Sequence, residues 1–204
     1  MLEYNALEAM LILGFAAGML HAFDADHLAA VSGLSGGDGR RSLRFALHWG
    51  LGHGLAVMLI AVAVIVLGAA VPERFSGLAE SAVAWMLILI GVQTFYHLWR
   101  QHRHGIHRHG NPRHAALVGL VHGSAGSAPL LALIPAASFA SPAWGVLHVL
   151  LFNTGLLLAM MGVGAALRHG LAVAGRRHGA VQLSLQGGLA SFAIGFGLFL
   201  LAGG

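Results

Sequence analysis

The chain has 204 residues, of which 57% are hydrophobic and only 9% are charged. Soluble domains average roughly 25% charged residues, so this composition is typical of a membrane protein. The formal charge of +4 comes from arginine alone, which is better explained by membrane topology than by nucleic-acid binding, and cysteine is absent. The absence of cysteine excludes disulfides, thiolate metal ligands and thiol-redox carriers.

Six apolar segments are each long enough to cross a hydrocarbon core of about 30 Å as a helix of ~20 residues. The predicted spans are Leu7–Val31, Phe45–Val71, Ala79–Leu98, Ala115–Ala137, Trp144–Leu167 and Val181–Ala202. The connecting segments are predicted to be turns or exposed loops, and they contain Gly36–Gly39, Pro72, His102–His114, Pro142 and Arg176–Arg177. The N-terminus lacks the basic residues of a cleavable signal peptide, so we expect the first helix to remain. The sequence predicts an all-α integral membrane protein with one transmembrane domain over residues 1–204.

The arginines indicate the orientation of the chain. All except Arg74 fall in the first, third and fifth loops, namely Arg40, Arg41, Arg44, Arg100, Arg103, Arg108, Arg113, Arg168, Arg176 and Arg177. By the positive-inside rule these loops are cytoplasmic. Both termini are therefore expected outside a bacterial inner membrane, which requires an even number of spans.

The two halves of the chain resemble each other. Similar segments recur about one hundred residues apart: Gly18–His21 with Gly119–His122, His48 with His148, and His53 with Asn153. Three helices per half must insert with opposite orientations, which predicts a 3+3 inverted repeat with a substrate site at the repeat interface. Repeat 1 is predicted at about 1–101 and repeat 2 at about 115–204, separated by a His-rich cytoplasmic loop at about 102–114. Chance similarity between Gly/Ala/Leu-rich helices is the alternative.

The first span carries two histidines and two aspartates in seven residues. Ionisable groups at membrane depth cost roughly 2.5–3.5 kcal/mol each, so such a cluster implies mutual pairing or a bound ion. On a straight helix His21, Asp24 and His27 share one face, whereas Asp26 points about 140° away from His21. Either Asp26 orients a ligand imidazole or the helix unwinds here, and Asp24 could also hold a histidine ring. We interpret the segment as a metal site rather than a structural polar network.

The second span places His48 and His53 among glycines, which let helices approach each other closely. His53 is predicted to be a metal ligand. For His48, a ligand role and a hydrogen-bonded packing role are equally compatible with the sequence.

The fourth span is predicted to be kinked or broken, like the first, because glycines and Pro129 follow His122. His122 is predicted to be a gate or auxiliary ligand, and the Ser124 hydroxyl could line a path. His148 and Asn153 favour interhelical hydrogen bonds, although Asn153 is retained as a pathway residue.

Imidazole with carboxylate suits nickel, cobalt, zinc or copper(II), whereas magnesium and calcium prefer oxygen ligands alone. The His-rich loop could buffer metal or simply set topology. A membrane metalloenzyme with histidine boxes is the competing class, but these histidines lie within spans and no His-Glu-x-x-His motif is present. The sequence therefore predicts a transporter rather than an enzyme, with a divalent metal as substrate and no resident cofactor.

The segment His-Ala-Phe-Asp-Ala-Asp-His resembles the signature of the nickel/cobalt transporter family, and Leu51–Gly54 looks like its Gly-His-Ser segment. This resemblance implies that His21, Asp26, His27 and His53 belong to the transport site. Longer members of the family have eight helices and later acidic motifs, so this chain looks like the short, urease-accessory type of nickel permease. That type implies a metal chaperone or urease maturation proteins as partners, besides the lipid bilayer.

Uptake is preferred to proton-coupled efflux. A divalent ion that enters across 100 mV gains about 4.6 kcal/mol from the membrane potential.

Overall fold

A computed structural model describes residues 2–34, 39–69, 73–104, 112–125, 127–177 and 179–203. These residues form α-helices and no strand, and α3 continues into a π-helical turn at Val62–Val66. The α-helices are α1 Leu2–His21, α2 Ala25–Leu34, α3 Gly39–Ala61, α4 Glu73–His104, α5 Pro112–Gly123, α6 Ser127–Ala137, α7 Pro142–Arg177 and α8 Gly179–Leu201.

Four helical segments among the described residues are long and apolar enough to cross a membrane. They are Leu43–Val66, Gly77–Arg100, Pro142–Leu167 and Leu183–Leu201, and they match the second, third, fifth and sixth predicted spans. Leu7–His21 and His114–Gly123 are shorter apolar helices. The prediction of an all-helical chain with membrane-spanning helices is confirmed at this level.

The first and fourth predicted spans are each divided between two helices. α1 ends at His21 and α2 begins at Ala25, where the Asp24 carbonyl accepts the Leu28 N–H at 3.1 Å. Aspartate favours such a helix start because its polar side chain competes with the helical hydrogen bonds. α5 ends at Gly123 and α6 begins at Ser127.

Two predicted turns are helical instead. Pro142 is the first residue of α7, a position where its missing N–H costs no intrahelical hydrogen bond. α7 also runs through Arg176 and Arg177. At a rise of about 1.5 Å per residue, its 36 residues form a helix longer than a hydrocarbon core of about 30 Å requires. The helix can therefore continue beyond the hydrocarbon core, where arginine is tolerated.

The predicted loop His102–His114 is helical at both of its ends. α4 runs to His104 and α5 begins at Pro112. Residues 105–111, Gly36 and Pro72 lie outside the described residues.

Glycines bring α3 and α5 into backbone contact. Gly52 faces the Ala116 carbonyl oxygen and Gly119 faces that of Trp49, so an added Cβ would overlap either carbonyl. Gly123 faces the carbonyl of His53 in the same way. These contacts fix the end of α5 beside the middle of α3.

Glycines also bring α1 and α7 into backbone contact. Gly18 faces the Phe152 carbonyl oxygen, and Gly155 faces that of Phe15. The C-terminal end of α1 is therefore held against the middle of α7, without room for a side chain between the two backbones.

The outer surface is apolar, and the interior is built largely from small residues. Leu20 and Leu78 are 71% and 72% exposed, whereas the three interior clusters contain many fully buried alanines. Soluble monomers rarely expose such large apolar areas. Lipid is therefore the solvent that this surface fits.

Candidate metal centre

Four buried histidines converge where the divided helices meet α3. His21 ends α1, His27 lies in the first turn of α2, His53 lies within α3, and His122 lies in the last turn of α5. Each side chain is at most 3% exposed.

Three of these histidines could hold one metal ion. His21, His27 and His53 each offer one ring nitrogen, and the three nitrogen atoms lie within 4.8 Å of one another. Their ring centroids are 4.5 to 5.5 Å apart. We call these three residues the histidine cluster.

Asp24 holds the ring of His21. The His21 Nδ1–H donates to Asp24 Oδ2 at 2.8 Å. Because a carboxylate only accepts, this contact places the ring proton on Nδ1 and the lone pair on Nε2. A carboxylate that orients a histidine in this way is common behind metal-binding imidazoles.

Asp26 lies between two histidines of the centre. Its Oδ2 atom is 4.0 Å from His27 Nε2 and 4.0 Å from His122 Nε2. The break between α1 and α2 removes the straight-helix geometry that would have pointed Asp26 away from His21, because helical periodicity does not continue through the turn.

Several ring nitrogens of the centre are buried without a hydrogen-bond partner in the part of the chain that the structure describes. They are both nitrogens of His53, Nδ1 of His27 and Nε2 of His122. A buried polar atom left without a partner costs about 1–3 kcal/mol. A cation bound by the lone pairs would remove part of that cost, so the donor set fits a transition metal.

Trp49 contacts three histidines of the centre through its ring, and the sequence analysis did not select it. Its fully buried ring stacks on His53 at 5.3 Å between centroids and meets His27 and His122 edge-on at 4.9 and 5.4 Å. The available signal was spacing, because Trp49 precedes His53 by one helical turn and so shares its face.

The other candidate residues make contacts of their own. The Nδ1–H of His48 donates to the Arg44 carbonyl at 2.7 Å, and Ser124 Oγ–H donates to the Val121 carbonyl at 2.8 Å. Asn153 Nδ2–H donates across to the Gly54 carbonyl on α3 at 3.0 Å. His48 does not belong to the group of side chains that converge as possible metal ligands among the described residues.

His148 is buried away from the cluster. Its Nδ1–H donates to the Met10 carbonyl at 3.0 Å, which joins α7 to α1. A Cβ added at Gly14 would come within 2.8 Å of the His148 ring, so the ring packs directly on the α1 backbone.

The sequence matches the NicO family, described as high-affinity nickel-transport protein, over residues 7–129. This region contains all four converging histidines and both aspartates. The chain belongs to this family. It is therefore a membrane transport protein rather than an enzyme.

Two curated relatives agree with this assignment. The chain is 30% identical over 171 residues to the urease accessory protein UreH of a Bacillus species, covering 76% of this chain and 74% of the relative. It is 33% identical over 81 residues to the high-affinity nickel transport protein of Cupriavidus necator, covering 38% of this chain and 23% of that protein. No solved structure matches the chain.

Proposed function

We propose that this protein carries nickel into the cell across the bacterial inner membrane, and that the histidine cluster binds the ion during transport. The observation that carries the proposal is the convergence of three buried imidazoles, each with a ring nitrogen within 4.8 Å of the other two. Neutral imidazole is a good ligand for nickel and cobalt, and a nearby carboxylate balances part of the charge of a divalent ion.

Each residue of the proposed site has a distinct role. His21, His27 and His53 supply nitrogen ligands, Asp24 orients His21, and Asp26 supplies a carboxylate beside His27. His48 receives no ligand role, because it lies outside the group of side chains whose ligand atoms converge among the described residues.

The paired helix contacts support six spans arranged as a 3+3 inverted repeat, in which α1–α2 and α5–α6 each cross the membrane as one broken helix. The α3–α5 contacts map onto the α7–α1 contacts when four residue pairs are exchanged: Gly52 with Gly155, Ala116 with Phe15, Gly119 with Gly18, and Trp49 with Phe152. A two-fold relation between the halves produces this reciprocity.

The α4–α8 contacts follow the same relation. Gly91 meets the Ala190 carbonyl, and Gly197 meets the Ala84 carbonyl. In the α3–α7 register, His53 corresponds to Leu156 rather than to Asn153. The ligand set is therefore asymmetric, with His122 as the counterpart of His21.

Direction and partners follow from charge and from the relatives. With the arginine-rich segments in the cytoplasm, an inside-negative potential drives a divalent cation inward at about 2.3 kcal/mol per charge per 100 mV. The name of the UreH relative points to urease maturation proteins as recipients of the metal.

Equilibrium nickel binding to the purified protein tests the proposed site. We expect His53→Ala to weaken binding at least tenfold, because it removes one of three nitrogen ligands. His148→Ala is the matched control, since His148 is equally buried but hydrogen-bonds Met10 outside the cluster. If His53→Ala binds nickel as tightly as the control, the histidine cluster is not the binding site.

A further inference from the structure

We infer that Asp26 and His122 form a second metal position beside the histidine cluster, and that the ion passes through it during transport. The inference rests on the proposed function and deepens it. It assigns to His122, on α5, a direct role as a ligand for the transported divalent cation.

The distance between the two side chains suits a shared ion. Asp26 Oδ2 and His122 Nε2 are 4.0 Å apart, which is too long for a hydrogen bond. Two metal–ligand bonds of about 2.1 Å each can span up to ~4.2 Å, so an ion fits between these atoms without moving either. Cluster nitrogens 4.8 Å apart, the upper limit of their separation, must close by at least ~0.6 Å to share one ion through bonds of this length.

The chemistry of the two groups also favours a positive charge between them. The Nδ1–H of His122 donates to the Val118 carbonyl at 3.2 Å, so its Nε2 carries the lone pair. Nε2 is buried and has no hydrogen-bond partner among the residues described. It lies 4.0 Å from a carboxylate oxygen, and a metal cation between these two acceptors would stabilise both.

His27 connects the two positions. Its Nε2 lies 4.0 Å from the same Asp26 oxygen, and its ring centroid is 5.7 Å from that of His122. An ion could therefore exchange His21 and His53 for Asp26 and His122 while it stays next to His27. Such a transfer of ligands moves the cation by only a few ångströms, from the α1 side of the centre to the α5 side.

The backbone holds His122 in register for this role. Gly123 packs against the His53 carbonyl and Gly119 against the Trp49 carbonyl, so α5 cannot slide along α3 without a clash. His122 is also the repeat counterpart of His21. The two helices that end at the centre thus each deliver one histidine, from opposite halves of the chain.

The test separates equilibrium binding from flux, using nickel alone as the probe. We expect His122→Ala and His122→Gln to keep nickel binding within about threefold of wild type, because the histidine cluster and Asp26 are intact. Nickel uptake into proteoliposomes should fall at least tenfold in both variants. Leu120→Ala, on the same helix and partly exposed, is the control for a side-chain truncation in α5 that leaves His122 in place. This variant should retain uptake.

Two results would overturn the second position. Nickel binding lost together with uptake in the His122 variants would mean that all five side chains form one site. Unchanged uptake would mean that His122 does not meet the ion. His122→Gln keeps a polar side chain at this position, which keeps the test decisive if His122→Ala does not fold. Retained binding in His53→Ala would instead contradict the proposed function itself.

Discussion

The histidines of the centre are held by different contacts, and this sets how strongly each depends on its neighbours. His21 is held by the Asp24 carboxylate and His122 by a carbonyl of its own helix. His53 makes no such hydrogen bond among the described residues, and its ring is positioned mainly by stacking on Trp49. The orientation of each histidine ring therefore depends on the contacts that this ring itself makes.

Asp24→Ala should weaken nickel binding by about 10–100-fold, the usual effect of removing a carboxylate that orients a ligand histidine. The cause is loss of the Nδ1–H contact that fixes the His21 tautomer. Titration calorimetry of the purified variant measures the change, with exposed Glu80→Ala as the control for loss of one acidic group. An unchanged affinity in Asp24→Ala would show that the contact does not prepare His21 for the metal.

Acidification should weaken nickel binding, because the ligand nitrogens must be deprotonated and binding releases protons at low pH. Affinity should thus fall as the pH is lowered from about 7.5 to about 4, a range that extends below the one in which an exposed histidine titrates. Equilibrium dialysis across that range measures the effect. A pH-independent affinity would argue against imidazole ligands.

Some residues of the candidate site could be selected from the sequence, whereas the role of others could not be assigned for definable reasons. His21, Asp26, His27 and His53 could be selected because polar groups at membrane depth need partners. His48 could not be assigned either a ligand role or a packing role, since the choice depends on which face of α3 meets α5. That contact is set by tertiary packing.

At the scale of elements, helix breaks and glycine contacts place the ligands. The sequence predicted the apolar helices because hydropathy depends on composition alone. The extent of α7 through Arg177 was not predicted, since the cluster of two arginines is also typical of a loop. The residue that each glycine contacts could not be predicted either, because a close helix approach depends on residues far away in the chain.

Gly119→Ala should destabilise the protein by about 1–3 kcal/mol, the usual cost of overpacking a tight interface. The new methyl group would overlap the Trp49 carbonyl and push α5 away from α3. Thermal unfolding in detergent measures the loss, with Gly162→Ala as the matched control, because nothing lies within 4 Å of a Cβ at that position. Equal stability of the two variants would contradict the close helix contact.

The repeat makes a further prediction for this packing. Gly18→Ala should destabilise the protein about as much as Gly119→Ala, because it places a methyl group on the equivalent Phe152 carbonyl of α7. The same unfolding measurement compares them. A Gly18→Ala variant as stable as wild type would contradict the reciprocal arrangement.

At the scale of the whole molecule, an apolar exterior surrounds a polar centre of four histidines and two aspartates. Lipid faces the outside, so the centre can hold a charged ion only if the protein supplies the ligands that water would otherwise provide. Membership of the nickel-transport family and the convergence of imidazoles both support the proposal that a metal ion crosses through this buried site.

Nickel uptake into proteoliposomes under an inside-negative potential tests this account most directly. Wild-type protein should accumulate nickel, and uptake should stop when the potential is collapsed. His53→Ala should reduce uptake at least tenfold, whereas His148→Ala should not. Potential-driven uptake that is equal in wild type and His53→Ala, or no nickel flux in wild type, would contradict transport through the histidine cluster.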